Sequence, residues 1–336
     1  MRQFGTLRYD RDLSLWKANN RKHKDFLATS EAKQSSLLIG PHKWTVYNDS
    51  KSCSLASSYT TVLKLTGCSG KEFTCSDGSC VSMTSRCNGK NDCDDETDEA
   101  ECKAFVQSVG YDPFTVPPPL ENGTKLDIFF AIDIWDIVEI NEKEGFFRCK
   151  ISVTRKWIDQ KVTFQNIQNE TELNTINPED RSLLWKPWTI FDNIEDRGKY
   201  ALTDDVQAWK IIPNSNYSFT HAEKSFLHNT YFFEGASNMI SYEISYTVEW
   251  LCDFQMEWFP FDTQSCTMEF LQAENSVRLL PEAVDYLGHQ LPQHFIRNIT
   301  MCPAKLNGKE GIIVEIILGR PLFSKFLTVN STLGKN

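Results

Sequence analysis

The chain has 336 residues, of which 40% are apolar and 12% aromatic, a content that excludes a disordered chain and leaves room for two or three domains. Acidic residues outnumber basic ones 45 to 35, giving a formal net charge of −10. Residues 1–67 carry eleven Lys/Arg and five Asp/Glu, so they hold +6 and the rest −16; so acidic a body excludes nucleic acid as a partner.

Eleven cysteines, six of them crowded between positions 68 and 102, place the chain in an oxidising compartment. Six N-x-S/T triplets, headed by Asn48, Asn122, Asn169, Asn216, Asn298 and Asn330, agree with a secreted glycoprotein. The first residues, MRQFGTLRYDRD, lack the apolar core of a signal peptide, and no run of 18 apolar residues occurs anywhere. Together these features predict an extracellular piece that lacks its own beginning. No HExxH, GxSxG or P-loop spacing is present, so no catalytic chemistry is expected.

Residues 1–67 contain short strand-like apolar runs, LSLW, SSLLIG, KWTVY and TTVLKL, with no helical stripe. Cys53 has no obvious neighbour to pair with. Residues 68–102 hold Cys68, Cys75, Cys80, Cys87, Cys93 and Cys102 in a segment too short to bury an adequate core, so disulfides must replace one. Seven acids fall between positions 92 and 101, a crowding that repels itself unless a cation sits among them. Oxygen donors select a hard ion and suit calcium better than magnesium; zinc would want paired CxxC knuckles, which are absent. Six cysteines allow fifteen connectivities, and spacing does not choose among them.

Residues 103–120 end in VPPP and read as a stiff extended linker. From Leu126 the pattern changes to long strands. Phe147, Cys149, Ile151 and Val153 alternate with polar residues behind a KEG turn, and strict alternation runs from Ile240 through Tyr242, Ile244, Tyr246 and Val248 to Trp250. Strands of that kind, buried on one face and repeated at short intervals, predict a β-sandwich. Cys252 and Cys266 then enclose CDFQMEWFPFDTQSC; a disulfide there closes a loop of about 15 residues and stabilises it by about 3 kcal/mol. Its tip pairs exposed aromatics with one acid, a composition suited to pressing on another surface.

The six-cysteine stretch resembles the low-density-lipoprotein receptor class A repeat, through Phe73, the DGSCV segment and the TDE acids. That resemblance implies the pairs Cys68–Cys80, Cys75–Cys93 and Cys87–Cys102 and a bound calcium. Its ligands would be the side chains of Asn88, Asp92, Asp98 and Glu99 and the backbone carbonyls of Ser85 and Lys90. Asn88 stands where the family often has Asp, which removes one charge. Leu37-Leu38-Ile39-Gly40, Trp44, Asn48-Asp49 and Cys53 resemble the tail of a lectin-like module of the pentraxin or laminin-G type.

The FPFD core and the cysteine spacing of the second loop resemble the signature of the Cys-loop receptors, the pentameric ligand-gated ion channels. RKWID at 155–159, LLWKPWTIFDN at 183–193 and GIIVEIILGRPLFSKFL at 311–327 extend the resemblance. The fold class expected is therefore mostly β: a β-sandwich ligand-binding domain with a small disulfide-rich calcium-binding module upstream. The divisions are a β-rich fragment at 1–67, the class A repeat at 68–102, the linker at 103–120, the receptor-like domain at 121–329 and a tail at 330–336. The resemblance implies a neurotransmitter-type ligand held between neighbouring subunits, with Phe164, Ser241 and Glu243 on one face and the segment 298–311 on the other. Asp192, with Phe191 beside it, stands where the family has an aromatic after the Trp-x-Pro segment. Phe164 and Phe191 are expected as core more than as ligand contacts. Ala273 and the segment 298–311 lack the aromatics and paired cysteines of acetylcholine-binding members. It further implies a Cys252–Cys266 disulfide and a coupling loop of Phe259, Pro260, Phe261 and Asp262, with Arg320 as charge partner. The pore itself is absent: after FSKFLTV, relatives enter an apolar helix, whereas this chain reads NSTLGKN. Either a truncated chain on the extracellular face of the plasma membrane or a secreted soluble binding or adhesion protein fits that ending. Cys149 and Cys302 are left without an assigned partner.

Overall fold

The computed structural model describes residues 4–20, 26–32, 38–47, 58–69, 72–100, 102–108, 110–120, 125–194, 201–202, 208–214, 223–225, 230–289, 291–306 and 308–321. Asn48, Cys53, Glu101, Asn122, Asn216, Asn330 and the tail at 330–336 lie outside the described residues. By its contacts the chain divides into two units, residues 1–102 with 222–232, and residues 103–221 with 233–336.

In the first unit, strands β1 (Phe4–Asp10), β2 (Leu15–Asn20), β3 (Phe26–Ser30), β4 (Gly40–Tyr47) and β5 (Ser58–Leu65) form an antiparallel meander in sequence order. Alternation puts Ala18, Ala28, Trp44 and Val46 into a small core, with Trp16, Leu38, Leu63 and Leu65 packed against it. The short strands β6 (Glu72–Thr74) and β7 (Cys80–Ser82) form the only regular pairing described in the cysteine-rich module. Disulfides Cys68–Cys80, Cys75–Cys93 and Cys87–Cys102 hold that module together. Buried Arg86 supplies what a core would: its guanidinium lies 4.9 Å from the Phe73 ring centre and donates to the carbonyls of Thr97 (3.2 Å), Asp98 and Ala100 (2.6 Å).

The second unit begins earlier than the sequence pattern suggests. Residues 103–120 are not a free linker: β8 (Phe105–Gln107) pairs with β11 (Val162–Gln165), and Phe105 is buried. The Tyr111 hydroxyl donates to Asp159 at 2.7 Å and accepts from the Trp185 N–H at 3.0 Å. A proline run resists helix, but it does not prevent the residues before it from joining a sheet edge.

One layer of the sandwich runs β19-β9-β10-β17, built from β9 (Leu126–Asn141), β10 (Phe146–Ile158), β17 (Met239–Leu251) and β19 (Val277–Tyr286). Short strands β13 (Ala201–Leu202) and β14 (Ala208–Ile212) pair with β17; outside this layer, β15 (Glu223–Ser225) pairs with β16 (Thr230–Glu234), mostly within the residues grouped with the first unit. The other layer runs β12-β18-β21-β20, from β12 (Thr189–Phe191), β18 (Thr263–Gln272), β20 (Phe295–Leu306) and β21 (Lys309–Gly319). Inward residues meet between the layers: Phe270 lies 5.1 Å from Phe130 and 5.2 Å from Trp250, ring centre to ring centre, and Cys149 Sγ is 3.9 Å from Met268 Sδ. Each such ring, fully buried, contributes about 1.5–3 kcal/mol. Burial pushes the Cys149 thiol up to about 12, so this cysteine acts as a small apolar filler.

At two glycines of this sandwich, among others, the backbone opposes a side chain. Gly145, at φ +76°, closes the β9–β10 turn, where its N–H donates to the Asn141 carbonyl at 2.9 Å. At Gly235 a Cβ would lie 2.0 Å from the Asp159 carbonyl and 2.4 Å from that of Val162, so backbone meets backbone with no space between. Gly235→Ala is expected to cost about 3 kcal/mol of stability, read as a lowered urea midpoint with unchanged slope.

Candidate functional site

Strand register places the charged residues at one end of the sandwich. Thr263, Gly319 and Phe295 form one row across β18, β21 and β20, so the residues one step beyond, Asp262, Arg320 and His294, emerge side by side. The β9–β10 turn brings Glu142 to the same place. Arg320 donates through Nε to Asp262 Oδ1 at 2.7 Å and through Nη2 to Glu142 Oε1, while its guanidinium lies 4.8 Å from the Phe259 ring centre. Gln264 completes the clasp: its amide donates to Asp262 and to the Gln255 carbonyl (2.9 Å), and its oxygen accepts the Gln255 N–H (2.9 Å). The Cys252–Cys266 disulfide closes the loop behind these contacts.

The result is a loop whose acid is buried and whose rings are not. Asp262 is shielded, whereas Trp258 is 76% and Phe261 65% exposed, with cis Phe259-Pro260 between them. Burial alone would raise the Asp262 carboxyl, but hydrogen bonds from Arg320 and Gln264 outweigh it and hold the group below the ordinary carboxylate range.

The residues expected around a ligand divide differently. Phe164 has no exposed surface, and Phe191 is 3% exposed, packed edge-on against Tyr246, Trp250 and Phe270 at 4.9–5.5 Å. Both rings are core, the role the sequence favours for them over ligand contact, so neither stands as a ligand-site residue. Ser241 and Glu243 sit half-exposed on β17, on the side opposite the buried Ile240, Tyr242 and Ile244. Asp192 lies just past β12, on the other layer, and its N–H donates to the Glu269 carbonyl at 2.9 Å. One chain therefore does not bring Ser241 and Glu243 together with Asp192. Beside Asp192, burial and the Asp192 charge raise the Glu269 carboxyl. The aromatic presented here is Trp188, 58% exposed, whose carbonyl accepts the Ala273 N–H at 3.2 Å.

In the cysteine-rich module, Asn88 donates its N–H to Glu99 Oε1 (2.7 Å) and its side-chain amide to Asp92 Oδ2 (2.9 Å), and its Oδ1 accepts the Lys90 N–H (2.8 Å). Asp98 is wholly buried; one of its oxygens accepts the Asp92 N–H at 2.7 Å and the other has no hydrogen-bond partner. Ser85 ends the short helical turn Met83–Ser85. A buried carboxylate left half-satisfied is costly unless a cation meets it, so this oxygen donor set fits a hard divalent ion. Asp95 lies close to the sulfurs of Cys75 and Cys93, but those are bonded to each other, and Asp95 holds the N–H groups of Asp77 (2.7 Å) and Thr97 (3.1 Å). Asn169 and Asn298 are exposed, the latter on β20. Cys302, also on β20, is an exposed free thiol.

A two-layer sandwich with a disulfide-closed aromatic loop clasped at one end defines a receptor-type ligand-binding domain. The chain matches the family described as neurotransmitter-gated ion-channel ligand binding domain over residues 103–286, 184 of its 336 residues, and belongs to it. Residues 66–102 match the low-density lipoprotein receptor domain class A. Among relatives, the betaine receptor acr-23 of Caenorhabditis elegans is 23% identical over 156 residues, 46% of this chain and 24% of the relative. The acetylcholine receptor subunit alpha-type unc-38 of the same organism is 22% identical over 153 residues, 46% of this chain and 25% of the relative. The human neuronal acetylcholine receptor subunit beta-3 is 23% identical over 175 residues, 52% of this chain and 32% of the relative. The chain thus spans about a quarter to a third of the length of these curated relatives. Among the described residues no helix is long and apolar enough to cross a membrane.

Glu142 and His294 carry no motif of their own and are revealed only by strand register, whereas Gln264 and Trp188 lie within the quoted segments 252–266 and 183–193 without standing out there. Asp262 contributes stability that is full above the ordinary carboxylate value of 3.8 and is lost as pH falls through its lower folded value. Asp262→Asn should therefore cost about 3 kcal/mol near neutrality. The gap between its urea midpoint and that of the unaltered chain should begin to narrow only below pH 3.8 and close as the pH falls through the folded value, in paired unfolding curves at each pH.

Proposed function

We propose that the chain is the extracellular ligand-binding part of a ligand-gated ion channel subunit. In this proposal it binds a small cationic ligand between neighbouring subunits of a pentamer at the plasma membrane. The observation that carries this is the placement of Trp188, Asp192 and Glu269 on one layer and Ser241 and Glu243 on the other. Only a second copy meeting the first head to tail would join the two sets, as a closed ring requires. An exposed indole on the same sheet edge as carboxylates is chemistry suited to an ammonium group, and betaine and acetylcholine appear in the names of the relatives. The loop of Phe259, Pro260, Phe261 and Asp262, held by Arg320, would carry the change at the ligand site to the pore.

Light scattering across a concentration series tests the assembly. A monomer–pentamer equilibrium supports it, and a two-fold dimer favours the soluble adhesion alternative. Tetramethylammonium should quench tryptophan fluorescence at concentrations where pentamer forms, with Trp188→Ala weakening that binding about tenfold, close to 1.4 kcal/mol. Equal quenching in the variant would remove Trp188 from the site.

For the class A module we propose calcium, held by side chains of Asn88, Asp92, Asp98 and Glu99 and carbonyls of Ser85 and Lys90. Ion binding would then be part of folding. Refolding the chain under a thiol redox couple should give one disulfide isomer with calcium and a mixture in chelator. Asp98→Ala should leave the mixture even with calcium present. A single isomer in chelator would contradict calcium dependence.

A further inference from the structure

We propose that His294 is a proton-binding site whose charge sets how Glu142 is shared between Arg320 and the imidazole. The His294 side chain is 4% exposed, and its Nε2 lies 3.0 Å from Glu142 Oε1. The ring N–H direction misses that oxygen, so Nε2 has no satisfied hydrogen bond. The same Oε1 already accepts Arg320 Nη2. Arg320 and His294 thus meet at one carboxylate oxygen, and of the two only the arginine is hydrogen-bonded to it.

The groups facing His294 come from every neighbouring strand end: Glu142 from the β9–β10 turn, Asp262 from the start of β18, and Arg320 from the end of β21. On its own side, His289 and Arg297 line the same cavity of about 840 Å³, which His294 also lines, together with Phe261 and Tyr286. That cavity is the route by which a proton reaches a side chain otherwise out of water.

Without His294, the charges of Arg320, Asp262 and Glu142 sum to −1; an imidazolium brings the cluster to zero. Burial and the adjacent guanidinium push the imidazole below its ordinary value of 6.5, while Glu142 and Asp262 pull it back. The ring is therefore neutral at neutral pH and takes a proton from solvent only at a pH below 6.5. The imidazolium Nε2–H then donates to Glu142 Oε1 beside Arg320 Nη2 and weakens the hold of that carboxylate on the arginine. By linkage, stability tied to the neutral ring is full above 6.5 and is lost as pH falls through the lower folded midpoint. None of this depends on ligand binding, so it stands or falls separately from the receptor proposal.

The test is a pH titration of the full chain by NMR, with labelled histidine and arginine. The chain has six histidines, and His294→Gln identifies the resonance of interest. The His294 ring should titrate below 6.5, and the Arg320 Nε–H resonance should move with the same midpoint. In His294→Gln that Arg320 shift should vanish. In Glu142→Gln, which removes the carboxylate favouring the charged ring, the His294 midpoint should fall further. A His294 midpoint at the ordinary 6.5, or an Arg320 resonance flat through the titration, would overturn the proposal. If His294→Gln does not fold, the shared midpoint in the unaltered chain and the Glu142→Gln shift decide it.

Discussion

One ionic contact determines how this end of the sandwich is built: Arg320 between Asp262 and Glu142, shielded from water beneath the Phe259 ring. Each group comes from a different strand end, so the contact can form only when β9, β18 and β21 are in register. A buried charge pair gains little over apolar packing, yet removing one partner is expensive because the other is stranded. The pair therefore acts as a specificity device. It fixes where the disulfide-closed loop begins, and the loop in turn presents Trp258 and Phe261 to the outside.

The interior of the sandwich follows from alternation. Inward residues of β10 and β17 interlock with Met268, Phe270, Val314 and Ile316, and the outward residues are left for polar or interfacial work. Ser241 and Glu243 are outward because Ile240 and Tyr242 are inward; no other constraint is needed. The class A module works on a different principle. With almost no core of its own, it relies on three disulfides, on the Arg86 guanidinium reaching several carbonyls, and on acids whose repulsion calls for a cation.

Much of this was legible from residue order, because a period of two is a local property. The strands of the sandwich and the loop between Cys252 and Cys266 were visible for that reason. The pairing of Asp262 with Arg320, 58 positions apart, came only through family resemblance. What stayed hidden was non-local. Phe164 and Phe191 could serve as core or as ligand contacts on sequence alone, with core favoured, and their burial shows that both point inward. Residues 103–120 looked like a spacer because prolines dominate their end, while the pairing that captures Phe105 lies more than fifty positions away. Glu142 resembled any charged turn residue until register set it against Arg320.

The central claim is that Asp262 and Arg320 act as a unit across the loop and the last strand. A double-mutant cycle on stability, with Asp262→Asn, Arg320→Gln and the pair, measures that directly. Strong coupling is predicted, with the double variant costing less than the two single losses added together by about 2 kcal/mol or more. Additive losses would show that the two side chains are merely neighbours and would contradict the account.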